Sequence, residues 1–86
     1  MYHVYIVRCA DGTLYTGYAV DPRKREKAHN IGRGARYTSG RRPVSLVYSE
    51  AFESRSEALR RECQIKRWTR AEKEALIAGS GLLKRL

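Results

Sequence analysis

This chain predicts a small α+β domain: a three-stranded antiparallel sheet flanked by helices, in the order β-β-α-β-α-α. Three observations carry that expectation. Two runs rich in β-branched and aromatic residues, 2–9 and 13–19, flank Asp11-Gly12, and a third such run follows from Val44 to Phe52. Asp21-Pro22 and two capping boxes, Ser54-Arg55-Ser56-Glu57 and Thr69-Arg70-Ala71-Glu72, each mark a helix start. Finally, 86 residues at 42% hydrophobic content suit one domain with one modest core. A chain this short buries only about 60–65% of the surface its unfolded form exposes.

The first two runs form a hairpin whose turn length decides which face each side chain takes. A two-residue loop of Asp11-Gly12 sets Tyr5 and Tyr15 on opposite faces. A three-residue loop, Ala10-Asp11-Gly12 with Gly12 left-handed, pairs Val7 with Tyr15 and puts both tyrosines on one face as diagonal neighbours. The second register is preferred because glycine suits the left-handed position. One residue of slip would reverse it.

Asp21 caps a helix that starts at Pro22 and stops near Gly32. Arg25 and His29, four apart, share one of its faces. Residues 31–43 read as a basic, glycine-rich loop without structure of its own, a length that points to function or disorder. The helix after Ser54 runs through Lys66, with Leu59 and Cys63 as its apolar positions. The helix after Thr69 is short and ends by Gly79. The whole chain, 1–86, reads as one domain with its core in 2–78 and a short C-terminal tail.

The net charge is +9, and it is uneven. Residues 1–20 are neutral. Residues 21–42 carry Arg23, Lys24, Arg25, Lys27, Arg33, Arg36, Arg41 and Arg42 against Asp21 and Glu26, net +6, whereas 53–74 are mixed. A positive block on one helix and its following loop is the footprint of a polyanion partner. The bland reading of the block is a solvated surface that aids solubility. No long apolar run is present, so a membrane span and a secretory segment are not expected, and the cytoplasm is the expected compartment. Cys9 and Cys63 lack metal-site spacing and read as buried free thiols.

Five residues have chemistry to offer. Glu62 lies on or beside the inward face of its helix, where a carboxylate needs a partner. That partner is either a nearby arginine or a metal ion, since Mg²⁺ is held by one carboxylate, waters and a substrate phosphate. Arg25 and His29 are either polar residues of a basic helix or a phosphate clamp with a proton carrier beside it. Tyr5 and Tyr15 are either ordinary strand aromatics or site hydroxyls. A tyrosine pKa near 10 means that a basic role needs a strong positive field.

The ordered set Val4-Tyr5-Ile6, Tyr15-Thr16-Gly17, Arg25, His29 and Ala58-Leu59-x-x-Glu62 resembles the GIY-YIG nuclease domain over residues 2–78. It is most similar to the small single-domain bacterial branch, which shows stretches like His29-Asn30-x-Gly32-x-Gly34-Ala35-x-Tyr37-Thr38 and Arg41-Arg42-Pro43. The resemblance implies that Tyr5 activates the attacking water and Tyr15 orients water or scissile phosphate. It implies that Arg25 stabilises the phosphoryl transition state and that His29 assists. It makes Glu62 the ligand of one divalent ion, Mg²⁺ or Mn²⁺, with no organic cofactor. Gly17 lets substrate or helix come close, and Asn30 resembles a polar position next to the site. His3 and Thr16 replace the glycine and isoleucine of the two triplets, and Tyr18 follows Gly17 where a smaller residue is usual, either crowding the site or stacking on a base.

The expected function is therefore a metal-dependent endonuclease acting on phosphodiesters, on DNA in preference to RNA, in DNA repair or processing. Arg23, Lys24, Lys27, Asn30, Arg33, Arg36, Arg41 and Arg42 are expected to grip nucleic acid, with Tyr37 stacking on a base. Two rivals stand beside it: a non-catalytic nucleic-acid-binding module using the same basic face, and a protein that binds an acidic partner through residues 21–42.

Overall fold

The structure, a computed structural model, describes the backbone of residues 1–83 and the side chains of residues 1–79. Strands β1 (Tyr2–Arg8), β2 (Leu14–Ala19) and β3 (Ser45–Phe52) form one antiparallel sheet in the order β2-β1-β3. Helices α1 (Pro22–Asn30), α2 (Arg36–Ser39), α3 (Arg55–Lys66) and α4 (Arg70–Leu83) complete the chain. Among the described residues no helix is long and apolar enough to cross a membrane.

The hairpin adopts the three-residue turn. Gly12 has φ +85°, and the register pairs Val7 with Tyr15 and Tyr5 with Gly17. The alternation of a strand then sorts the sheet into two faces. Val4 and Ile6, with Leu14 and Tyr18 against them, pack on Ala58, Ile65, Trp68, Leu76 and Ile77 of the α3–α4 side. Tyr5, Val7 and Cys9, with Tyr15 and Ala19, form a second cluster with Val44 and Leu46 on the other face. The three-residue turn therefore puts both tyrosines on one face. Tyr18 lies on the opposite one, stacked on Tyr2 at 6.2 Å with the Arg55 guanidinium over its ring, so it does not crowd the site.

All three predicted caps form. Asp21 accepts from the Lys24 amide at 3.1 Å, Ser54 from the Glu57 amide at 3.2 Å and Thr69 from the Glu72 amide at 3.2 Å. Three expectations are corrected. The 31–43 stretch contains the one-turn helix α2, with Thr38 buried against the body of the protein. The inward stripe of α3 is Ala58 and Ile65 rather than Leu59 and Cys63, and Cys63 is exposed while Cys9 is buried. Helix α4 continues through Gly79 to Leu83 because a helical glycine costs only about 1 kcal/mol, while Leu76 and Ile77 anchor the helix to the core. Asn30, at the end of α1, also has a structural part. Its side-chain amide donates to the Val44 carbonyl at 3.0 Å and accepts from the Val44 amide at 2.6 Å, tying the end of α1 to the start of β3.

Candidate active site

Tyr5 is the centre of the site. It sits on the central strand, 1% exposed, and its side chain runs across the neighbouring strand over Gly17. A Cβ at position 17 would stand 2.5 Å from the Tyr5 hydroxyl, so only glycine leaves the tyrosine its place. The hydroxyl is 2.8 Å from Nε2 of His29, which the last turn of α1 buries completely. On the far side of the imidazole, Nδ1 lies 2.8 Å from the hydroxyl of Thr38 and 3.2 Å from the Ala35 amide. Gly34 permits that approach, because a Cβ there would overlap the imidazole.

Tyr15 stands beside this pair, its ring edge-to-face with His29 at 5.5 Å and stacked on Tyr37 at 5.8 Å. Arg25, half-buried one turn before His29, lies close enough to Tyr5 to lower its pKa. Burial outweighs Arg25, and with the nearby Tyr15 and Glu62 charges it pushes the Tyr5 hydroxyl up to about 12. His29 moves the other way. Burial first, and the Arg25 charge second, hold its pKa below the usual imidazole value, so it is neutral at physiological pH.

Glu62 falls between Ala58 and Ile65 on the inward stripe of α3 and keeps 18% side-chain exposure. Lys66, one turn on, pairs with it at 3.2 Å and carries its ammonium to 5.8 Å from the Tyr15 ring. Among the described residues no three His, Cys, Asp or Glu side chains cluster as a metal cage. A lone carboxylate suits a hard cation that keeps its waters and takes phosphate oxygens from substrate, as Mg²⁺ does. It does not suit a cation that needs four protein ligands.

The tertiary fold thus gathers the other four residues around Tyr5, His29 by a hydrogen bond and Arg25, Tyr15 and Glu62 close enough for their charges to act on its hydroxyl. It treats the expected nucleic-acid contacts unevenly. Arg23, Lys24 and Lys27 are on the exposed side of α1, with Arg23 paired to Glu26 at 3.3 Å. Arg33 and Arg36 are exposed, and their side chains have no hydrogen-bond or ion-pair partner among the described residues. Arg41 and Arg42 are turned largely to internal work. Arg41 bonds Asp11 at 3.1 Å and the Tyr37 carbonyl at 2.8 Å and covers the Tyr37 ring at 4.1 Å. Arg42 bonds the Ser39 carbonyl at 2.9 Å. Tyr37 lies between Tyr15 and Arg41, so an incoming base must displace the arginine to stack on it. Thr38, Gly34 and Lys66 join the site without a role assigned to them from sequence. Thr38 and Gly34 lie in the family-like 29–38 stretch, and Lys66 follows Glu62 at the helical spacing of four.

The chain is similar to proteins of known sequence and structure. The chain is 57% identical over 77 residues to a UPF0213 protein of Halobacterium salinarum, covering 90% of this chain and all of that one. It is 60% identical over 74 residues to a UPF0213 protein of Staphylococcus aureus, covering 86% and 90%. A solution structure of a UPF0213 protein from Bacillus halodurans superposes with TM-score 0.59 at 47% identity, over 91% of this chain and 84% of that one. One of a protein from E. faecalis reaches 0.63 at 41% identity, over 94% and 86%. The family model described as the GIY-YIG catalytic domain matches residues 1–75, and the chain therefore belongs to the GIY-YIG family of nuclease domains.

Proposed function

We propose that this domain is a divalent-metal-dependent endonuclease that hydrolyses phosphodiester bonds, DNA in preference to RNA, in repair or processing of nucleic acid in the cytoplasm. The observation that carries the reading is the buried Tyr5–His29 hydrogen bond at 2.8 Å, with Arg25, Tyr15 and Glu62 around it. A tyrosine and a histidine buried purely for packing would have no reason to share a site with an arginine and a half-buried carboxylate.

In this reading Tyr5 takes the proton of the attacking water. Tyr15 orients that water or the scissile phosphate. Arg25 balances the negative charge that builds on the phosphate oxygens, an interaction that strengthens as the charge develops. A Mg²⁺ or Mn²⁺ ion held at Glu62 would supply Lewis-acid stabilisation of the same charge when bound. Arg33, Arg36, Lys24 and Lys27 offer cations to the flanking phosphates.

The test is cleavage of labelled plasmid, single-stranded DNA and RNA with Mg²⁺, with Mn²⁺ and with chelator, beside Glu62→Ala. Metal-dependent cutting that disappears in the variant is expected. Binding without cutting under every metal would favour the non-catalytic binding module instead.

A further inference from the structure

His29 has two ring nitrogens and, when neutral, one hydrogen. Which nitrogen carries it decides whether the histidine can accept a proton from Tyr5 or only donate one to it. The surroundings of Nδ1 bear on that choice. Thr38 is fully buried, and its hydroxyl lies 2.8 Å from Nδ1 and 2.9 Å from the Ala35 carbonyl. A carbonyl only accepts. If Thr38 gives its single hydrogen to Ala35, its lone pair faces Nδ1 and requires a hydrogen there. Nε2 is then the bare nitrogen, and Tyr5 donates to it. The result is a one-way chain from Tyr5 to His29 to Thr38 to the Ala35 carbonyl, with bonds of 2.8, 2.8 and 2.9 Å.

The opposite tautomer needs one lone pair on Nδ1 to serve both the Thr38 hydroxyl and the Ala35 amide, the latter at 3.2 Å. The chain leaves only the Ala35 amide without that partner. That contact, at 3.2 Å against 2.8 Å for Thr38, is the longer of the two at Nδ1, and Ala35 is half-buried whereas His29 and Thr38 are fully buried, so its amide is the one the chain gives up.

We propose that Thr38 is a positioning residue that selects the Nδ1–H tautomer of His29 and so leaves Nε2 free to receive the Tyr5 proton. The proposal rests on the endonuclease reading for its consequence. As the water oxygen bonds to phosphorus, one water proton moves to the Tyr5 oxygen and the Tyr5 proton moves to Nε2. The imidazole becomes imidazolium with its Nδ1–H still held by Thr38. The bond to the leaving oxygen breaks, and that oxygen takes a proton from solvent. The buried imidazolium then returns its Nε2 proton to the Tyr5 oxygen, which passes the water-derived proton on to solvent, helped by the nearby Arg25 charge.

The experiment compares wild type, Thr38→Val and Thr38→Ser. Long-range proton–nitrogen correlation spectra of ¹⁵N-histidine protein read the tautomer directly, with only two histidines to separate. Expected are Nδ1–H in wild type, Nε2–H in Thr38→Val and recovery of Nδ1–H in Thr38→Ser. On a cleaved substrate, Thr38→Val is expected to lose at least tenfold in kcat with KM little changed, and Thr38→Ser to stay within a few-fold of wild type. An Nε2–H imidazole in wild type overturns the proposal, whether or not the valine variant folds. So does a folded Thr38→Val that keeps both the tautomer and the rate. If wild type cuts no nucleic acid, the endonuclease reading fails, while the spectra still decide the role of Thr38 at His29.

Discussion

Gly17→Ala tests the site through a single methyl group. The added Cβ would stand 2.5 Å from the Tyr5 oxygen, 2.6 Å from Cζ and 2.9 Å from Cε2, where ordinary contact starts at 3.4 Å. The tyrosine must therefore retreat by roughly 1 Å, in a core packed too closely to yield freely. A retreat of that size takes the 2.8 Å bond to His29 beyond hydrogen-bonding range. Overpacking and a buried imidazole without its partner each cost about 1–3 kcal/mol and overlap in cause, so a net loss of about 2 kcal/mol is expected. For a domain of this size that lowers Tm by roughly 8–16 °C. Displacing the reacting oxygen by about 1 Å should also reduce cleavage on the order of 100-fold. Thermal unfolding followed by circular dichroism, together with plasmid cleavage, measures both. Gly40→Ala is the control. It has φ −92° with nothing within 4 Å of an added Cβ, so its effect should stay within about 0.5 kcal/mol. A Gly17→Ala protein that melts and cuts like wild type would refute the placement of Tyr5 over Gly17.

Four further outcomes follow from the same geometry. Thr16 carries a buried hydroxyl with no partner among the described residues, so Thr16→Val should stabilise the fold by about 1 kcal/mol; a lower Tm would reveal a hidden partner. His29 has a folded-state pKa below the unfolded 6.5, so the unfolded chain protonates first and stability falls as pH drops from 6.5 through the folded value. Asp11 and Glu74, held low chiefly by Thr13 and Arg8 respectively, act only at more acid pH; denaturation curves should therefore show two stages, and His29→Gln should remove the upper one. Lys66→Ala frees Glu62 of its ammonium partner and should tighten Mn²⁺ binding a few-fold by electron paramagnetic resonance, since a partly exposed ion pair contributes about 0.2–1 kcal/mol; unchanged affinity would remove Glu62 as the ligand. Charge reversal at Arg33 and Arg36 should weaken DNA binding and flatten its salt dependence by roughly one unit of slope for each phosphate no longer neutralised, without the loss of fold that Arg41 would bring; an unchanged slope would move the binding face elsewhere.

Much of this protein follows from neighbours along the chain. The left-handed Gly12 chooses the hairpin register, and the two-residue period of a strand then brings Tyr5 and Tyr15 to one face and Tyr18 to the other. The caps at Asp21, Ser54 and Thr69 start three helices, and a spacing of four sets Arg25 and His29 on one side of the first. These are rules of local geometry, so residue types and spacing are enough to apply them. Which polar groups meet across elements is a different matter. An arginine or an asparagine can serve a carbonyl as well as a phosphate, and only the stacking of layers shows that Asn30 and Arg42 face the backbone. The inward stripe of α3 depends on where the sheet meets the helix, so Ala58 and Ile65 replace the stripe that apolarity suggested. The contact of Thr38 with His29 needs α2 to fold back over the end of α1. The proton arrangement at Tyr5 is therefore set by a turn whose sequence reads only as a basic loop.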